Sequence, residues 1–168
     1  MKLLALSLAL LLPPLVASAA PPLAQKDVQV VAHQHAVNQM EIGMGTMALK
    51  QGSVAIKAYA TNLVNDHKAA DAKVIAFAKA HALAPIPEDP DASKDEMTKL
   101  APLKGIDFDK EFVGAMIDGH TKEIARVDRD LAGVENADLA AMLRAVKPVM
   151  QKHADEAREL AKSTPTRK

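Results

Sequence analysis

Apolar residues recur at spacings of three and four along four long segments of the chain. This spacing matches the turn of an α-helix and marks one buried face on each segment. The segments run roughly from Asp27 to Gln51, from Ser53 to Ala82, from Asp107 to Ala132 and from Asn136 to Ser163. No stretch shows the signal of a β-strand. The pattern therefore predicts an all-α protein with four long amphipathic helices.

Cap and turn residues separate these helices. Gly52 breaks the first helix from the second, and Ser53, Asp107 and Asn136 are expected to be the N-caps of the second, third and fourth. Pro148 falls inside the fourth helix, where it removes one backbone donor and predicts a kink. The first and second helices, and likewise the third and fourth, are therefore expected to pack antiparallel to each other.

A proline-rich segment joins the second and third helices. Residues 84–90 contain three prolines within six positions and cannot be helical. Ser93 and Glu96 then form a capping box, which predicts a short helix from about Lys94 to Leu100. The predicted fold is an antiparallel four-helix bundle with a long B–C crossover that carries a short extra helix.

The first 19 residues have the features of a signal peptide. Lys2 supplies a positive start, an apolar run from Leu3 to Leu12 follows, and residues 17–19 form a small-residue cleavage signature. Residues 20–26 are interpreted as a flexible leader, residues 27–163 as the bundle domain, and residues 164–168 as a frayed tail. No later run is apolar enough to span a membrane. The sequence thus predicts an exported protein, periplasmic if the cell has two membranes.

Composition narrows the possible partners. Lys plus Arg and Asp plus Glu both number 21, and aromatic residues make up 2% of the chain. A nucleic-acid partner would favour a basic patch and, for single strands, stacking aromatic residues. The chain contains no cysteine, so neither a disulfide framework nor a lipoprotein attachment site is available. About 149 residues remain after cleavage at position 19, enough for one hydrophobic core.

Four polar residues interrupt the apolar faces, one on each long helix: Glu41, His67, His120 and His153. With a rise of about 1.5 Å per residue, an antiparallel bundle brings them to within about 6 Å of one level. A buried carboxylate without a partner is costly, so these residues form a poor core unless a cation joins them. Three imidazoles and one carboxylate suit a single zinc, copper or iron ion. We therefore predict a metal site at mid-bundle.

Two other interpretations stay open. A hydrogen-bonded polar network would make the protein a metal-free helical module that binds a partner or the cell envelope. A di-metal, oxidase-like enzyme is the third possibility, but such sites use Glu-x-x-His. Here the order is reversed, in His120-x-x-Glu123 and His153-x-x-Glu156, and both glutamates are expected mainly at the surface. Nothing in the sequence indicates a nucleophilic mechanism.

Several neighbouring residues receive simpler interpretations. Asp66 points about 100° away from His67 around its helix, so it is expected to hydrogen-bond a neighbouring ligand rather than the ion. The methionines on one face of the first helix favour core packing over a Cu(I) site. The methionines in question are Met40, Met44 and Met47. His33 and His35 are expected at the surface.

Taken together, these motifs resemble a ferritin-like family of exported bacterial proteins, the domain of unknown function 4142. The resemblance covers the whole mature chain. It rests on the inward acid Glu41, on Asp66-His67, on Phe108-Asp109 followed by His120, and on Pro148 followed by His153. It implies a ferritin-like four-helix bundle and brings no established activity. The predicted role is therefore metal binding, in metal handling or in protection against oxidative or envelope stress.

Overall fold

A computed structural model describes residues 22–90 and 95–163. They form five α-helices and, within these ranges, no β-strand. The helices are α1 (Gln25–Gln51), α2 (Val54–Ala80), α3 (Asp95–Leu100), α4 (Gly105–Leu131) and α5 (Ala137–Ser163). The predicted signal peptide, the frayed tail and Ser93 of the capping box lie outside the described residues. None of the helices in the described ranges is both long enough and apolar enough to cross a bilayer.

The four long helices pack as an antiparallel bundle. α1 lies along α2 and α4 lies along α5, while contacts between α2 and α5 and between α1 and α4 complete the ring. Phe108 and Phe112, at the beginning of α4, share a core cluster with Ile56 at the beginning of α2. The crossover therefore runs back along the length of the bundle, and α3 within it packs on α1 and α4. The predicted all-α bundle, long crossover and short extra helix are confirmed.

Two apolar clusters fill the bundle, one toward each end. The cluster at the α1–α2 turn includes Met44, Leu63, Phe112, Met116 and Ala157. The cluster at the opposite end includes Val30, Val74, Val127, Leu139 and Met150. On each helix, the predicted site residue lies between the residues contributed to these two clusters. The bundle thus has an apolar core at both ends and a polar layer between them.

Side-chain caps mark the N-termini of α2 and α5. The Ser53 hydroxyl accepts a hydrogen bond from the Ile56 backbone at 3.4 Å. Asn136 Oδ1 accepts from the backbone N–H groups of Asp138 and Leu139, at 3.0 Å each. Both predicted caps are confirmed.

The predicted cap at Asp107 is wrong. α4 begins two residues earlier, at Gly105, after the N-cap residue Lys104. Gly105 has a φ of 56°, which glycine adopts without the penalty that a side chain would bring. Asp107 instead lies in the first turn, where its charge interacts favourably with the helix N-terminus.

Pro148 and the methionines of α1 are both accommodated within the helices. α5 continues through Pro148 from Ala137 to Ser163. Met44 is 1% exposed within the first cluster, and Met40 and Met47 pack against that cluster, so the methionines of α1 contribute to the core.

Candidate metal centre

Three histidines from three helices meet in the polar layer. His67 of α2, His120 of α4 and His153 of α5 are 3%, 2% and 0% exposed. One ligand nitrogen from each lies within 4.8 Å of the other two. The predicted convergence of the three imidazoles at mid-bundle therefore occurs, and we call these residues the histidine triad.

Each imidazole of the triad has an outer hydrogen-bond partner. His67 Nδ1 donates to Asn38 Oδ1 at 2.9 Å, and His120 Nδ1 donates to the backbone carbonyl of Met116, also at 2.9 Å. A neutral imidazole carries a single N–H group, so these bonds assign the tautomers of both rings. The second nitrogen of each ring, Nε2, is left with a lone pair.

The ring of His153 is also held by an outer hydrogen bond, but through Nε2 instead of Nδ1. Its Nε2 donates to Asp66 Oδ2 at 2.9 Å, which leaves Nδ1 to face the triad. The sequence-based expectation that Asp66 hydrogen-bonds a neighbouring ligand is thereby confirmed. Carboxylates and carbonyls that accept from metal-binding histidines hold the ring and raise its basicity.

The inward nitrogens are close together. His153 Nδ1 and His120 Nε2 are 3.3 Å apart, and His67 Nε2 is buried without a hydrogen-bond partner among the residues described. Facing lone pairs repel each other unless a proton or a cation lies between them. Two nitrogens that bind one ion at about 2.0–2.1 Å with a tetrahedral angle are about 3.4 Å apart. The distance between His120 and His153 fits that arrangement.

Burial keeps two of these imidazoles neutral. Desolvation, reinforced by the neighbouring histidines, lowers the pKa of His67 to about 3. Desolvation also lowers the pKa of His120 to about 4, because the hydrogen bond to Met116 offsets it only in part. A histidine must be neutral to bind a metal, so both rings are ready to act as ligands at neutral pH.

Glu41 lies at the edge of the triad. Its Oε1 is 4.0 Å from His120 Nδ1, the nitrogen that faces away from the other two rings. Its Oε2 is buried and has no hydrogen-bond partner in the described part of the chain. Burial, with a smaller contribution from Glu123, raises the pKa of Glu41 to about 8. The group of mutually close ligand atoms consists of the three histidines, and Glu41 would need to rotate to join it.

A second polar cluster next to the triad was not anticipated. His33, expected at the surface, is only 7% exposed. Its Nδ1 donates to Asp89 Oδ2 at 2.7 Å and its Nε2 to Glu123 Oε2 at 2.8 Å. Burial opposes a charge on His33, but these two carboxylates outweigh it and raise its pKa. His33 thus ties the crossover and α4 to α1, and the expectation of a surface histidine is corrected.

Asn38 and the carbonyl of Met116 were also missing from the sequence analysis. The Met116 carbonyl lies four residues before His120, and every helical position has a backbone carbonyl at that spacing. The sequence therefore gives no sign that this one is used. Asn38 lies three residues before Glu41 on the same face of α1. A polar residue in that position was the available signal.

Fold and site together define an all-α bundle with a buried histidine triad. The chain matches the family model described as Domain of unknown function (DUF4142) over residues 12–160, and it belongs to that family. No curated protein matches the sequence. A similar solved structure, described as CopM in the Cu(II)-bound form, has a TM-score of 0.69 and 17% sequence identity. The match covers 82% of this chain and 96% of that one, which shows that the two share a fold.

Proposed function

We propose that the protein binds one transition-metal ion in the centre of its bundle. The observation that carries the proposal is the orientation of the triad. All three rings have an outer hydrogen-bond acceptor. One ligand nitrogen of each ring lies within 4.8 Å of those of the other two. The ligands would be His67 Nε2, His120 Nε2 and His153 Nδ1, with Glu41 as a fourth after a side-chain rotation.

The donor set narrows the choice of metal. Imidazole nitrogens suit zinc, copper and iron, and three of them with one carboxylate can fill the four positions around a single ion. Copper is the first metal to test, since the CopM structure of the same fold contains Cu(II). Within the described ranges, the triad is the one group of three or more metal-ligating residues that are mutually close. That favours a single ion over a di-metal centre.

The proposed biological role rests on the predicted export of the protein. The predicted signal peptide would place the protein outside the cytoplasm, where metal ions enter the cell. We propose a role in metal handling or in protection against oxidative or envelope stress. Any catalytic activity would need a free coordination position on the ion.

The alternative is a metal-free helical module of the cell envelope. A proton on His153 Nδ1, donated to His120 Nε2, would fill the 3.3 Å gap between the two rings without a metal. The triad would then be a polar layer that fixes how the helices pack, comparable to buried polar residues that specify helix register.

Metal analysis of protein purified without an affinity tag separates these possibilities. Metal-free protein would be titrated with Cu(II), Zn(II) and Fe(II), and bound metal measured after dialysis. One ion per chain, with imidazole nitrogen coupling in the electron paramagnetic resonance spectrum of the Cu(II) form, is the expected result. Two ions would favour the di-metal centre, and no retained ion would favour the metal-free module.

A further inference from the structure

A groove next to the triad has features of a path for cations. It lies between α1 and α4 beneath the crossover and has a volume of about 540 Å³. Its lining includes His33, Met40 and Glu41 from α1, and Gly114, Gly119 and Glu123 from α4. We call this space the α1–α4 groove.

The charges of the groove favour a positive ligand. Its cationic residues are His33, Lys99 and Lys122, and Lys99 is paired with Glu96. A cleft lined mainly by one sign of charge raises the local concentration of oppositely charged ions and speeds their association. Even without Glu41, the carboxyl groups that line the groove outnumber the cationic residues: Asp89, Glu96, Glu111, Asp118 and Glu123.

Glu41 connects the groove to the triad. It lines the groove, it is 3% exposed, and its Oε1 lies 4.0 Å from the His120 ring. Its Oε2 has no hydrogen-bond partner within residues 22–90 and 95–163. A buried carboxyl oxygen without a partner is costly, and a ligand that passes or binds there would give it one.

Two glycines keep the groove open on the α4 side. A Cβ at Gly119 would lie 3.8 Å from Glu41 Oε1, and a Cβ at Gly114 would have no heavy atom within 4 Å. A side chain at position 119 would therefore occupy the space next to Glu41, and one at position 114 would stand in the lining of the groove. Glycine inside a helix is unfavourable by about 0.5–1 kcal/mol relative to alanine, so helix propensity does not account for them.

We propose that the α1–α4 groove is the route by which a divalent transition-metal cation reaches the triad, with Glu41 as the carboxyl group it meets at the inner end. The proposal rests on the proposed metal-binding function. The competing route is a cleft of about 400 Å³ between α2 and α5, which reaches Asn38 and Asp66. Its walls are mostly apolar and include Lys73, so its charge favours a cation less.

The test separates the rate of metal uptake from the final amount bound. Metal-free wild type, Gly119→Leu and Gly114→Leu would be mixed with Cu(II) chloride in mildly acidic buffer, and the Cu(II)–imidazole absorption followed by stopped flow. Ala145→Leu, which narrows the α2–α5 cleft, is the matched control. Leucine favours a helix over glycine, so both groove variants are expected to fold. Circular dichroism would check that they fold. If Gly119→Leu does not fold, the uptake rate of Gly114→Leu alone tests the route.

The groove variants should take up Cu(II) at least about tenfold more slowly, equivalent to a barrier increase of about 1.4 kcal/mol, and still bind one ion per chain. Ala145→Leu should match wild type. A double variant, Glu111→Gln with Asp118→Asn, should weaken the dependence of the uptake rate on ionic strength. Unchanged rates in both groove variants, or slow uptake confined to Ala145→Leu, would overturn the route while leaving the metal site intact. A wild type that binds no Cu(II) at equilibrium would overturn the proposed function and the route with it.

Discussion

At the scale of single residues, the outer hydrogen bonds of the triad matter as much as its inner nitrogens. Asn38, the Met116 carbonyl and Asp66 each accept one imidazole N–H and so fix which nitrogen faces inward. Without them, the rings would be free to rotate and to exchange tautomers. The site is thereby organised before any ion arrives, which lowers the entropic cost of binding.

Replacement of Asp66 tests this organisation. Asp66→Ala removes the acceptor of His153 Nε2 and leaves the three proposed histidine ligands in place. We expect Cu(II) affinity to fall by about 10- to 100-fold, the usual effect of losing an outer partner of a metal ligand. Competition with a chelator of known affinity would measure it.

Asp128→Asn is the matched control, because Asp128 is an acidic residue of α4 whose partner is Lys147. Its affinity for Cu(II) should equal that of wild type. Equal affinities in all three proteins would mean that Asp66 does not position a metal ligand.

At the scale of the helices, sequence and structure agree where local chemistry decides the outcome. The apolar period predicted the four long helices, and the caps at Ser53 and Asn136 were recognisable from their side chains. The start of α4 was placed two residues late, because the positive φ of Gly105 is a backbone property that the sequence pattern does not reveal.

For the candidate site, the sequence predicted which histidines take part but not their hydrogen-bond partners. A histidine on an apolar face is visible in the sequence, so the three imidazoles were found. Their tautomers depend on partners from other helices and on a backbone carbonyl, which periodicity alone does not show. The His33 cluster was missed for the same reason, since Asp89 belongs to the crossover and Glu123 to α4.

Loss of the α5 cap should affect stability alone. Asn136→Ala removes the acceptor for two backbone N–H groups at the beginning of α5. We expect the free energy of unfolding to fall by about 1 kcal/mol, while metal content stays at the wild-type value. Urea unfolding and metal analysis of the variant would check both, and a change in metal content would show that α5 positions His153 less rigidly than the fold implies.

At the scale of the whole molecule, burial of the polar layer links stability to pH. His67 and His120 stay neutral in the folded protein down to pH values near 3 and 4, whereas unfolded histidine takes up a proton near 6.5. Stability therefore falls as the pH drops below 6.5. Glu41 acts in the opposite sense, because it keeps its proton up to about pH 8 when folded and loses it near 4.5 when unfolded.

Between about pH 5 and 6, two histidines and one glutamate leave a net difference of one proton. The free energy of unfolding of the metal-free protein should then rise by about 1.4 kcal/mol per pH unit. Glu41→Gln removes the opposing contribution, so its slope should approach twice that value. Urea unfolding of both proteins across this range would measure the slopes, and a flat wild-type profile would contradict the assigned protonation states.

The bundle also links metal binding to global stability. An ion bound by α2, α4 and α5 joins helices from both halves of the bundle and stabilises the folded state in proportion to its affinity. A ligand present at 100 times its Kd raises the free energy of unfolding by about 2.7 kcal/mol. Metal content and thermal stability should therefore change together.

Metal content and metal-induced thermal stabilisation of wild type, His120→Ala and His81→Ala test the central claim most directly. His120 is a member of the triad, whereas His81 packs against Phe77 at the end of α2, about 21 Å along the helix from His67. Wild type and His81→Ala should each retain one ion and melt at a higher temperature when Cu(II) or Zn(II) is added. His120→Ala should lose most of its bound metal and respond little. Equal metal content in all three proteins, or no stabilisation of wild type by added zinc, copper or iron, would contradict a metal centre at the triad.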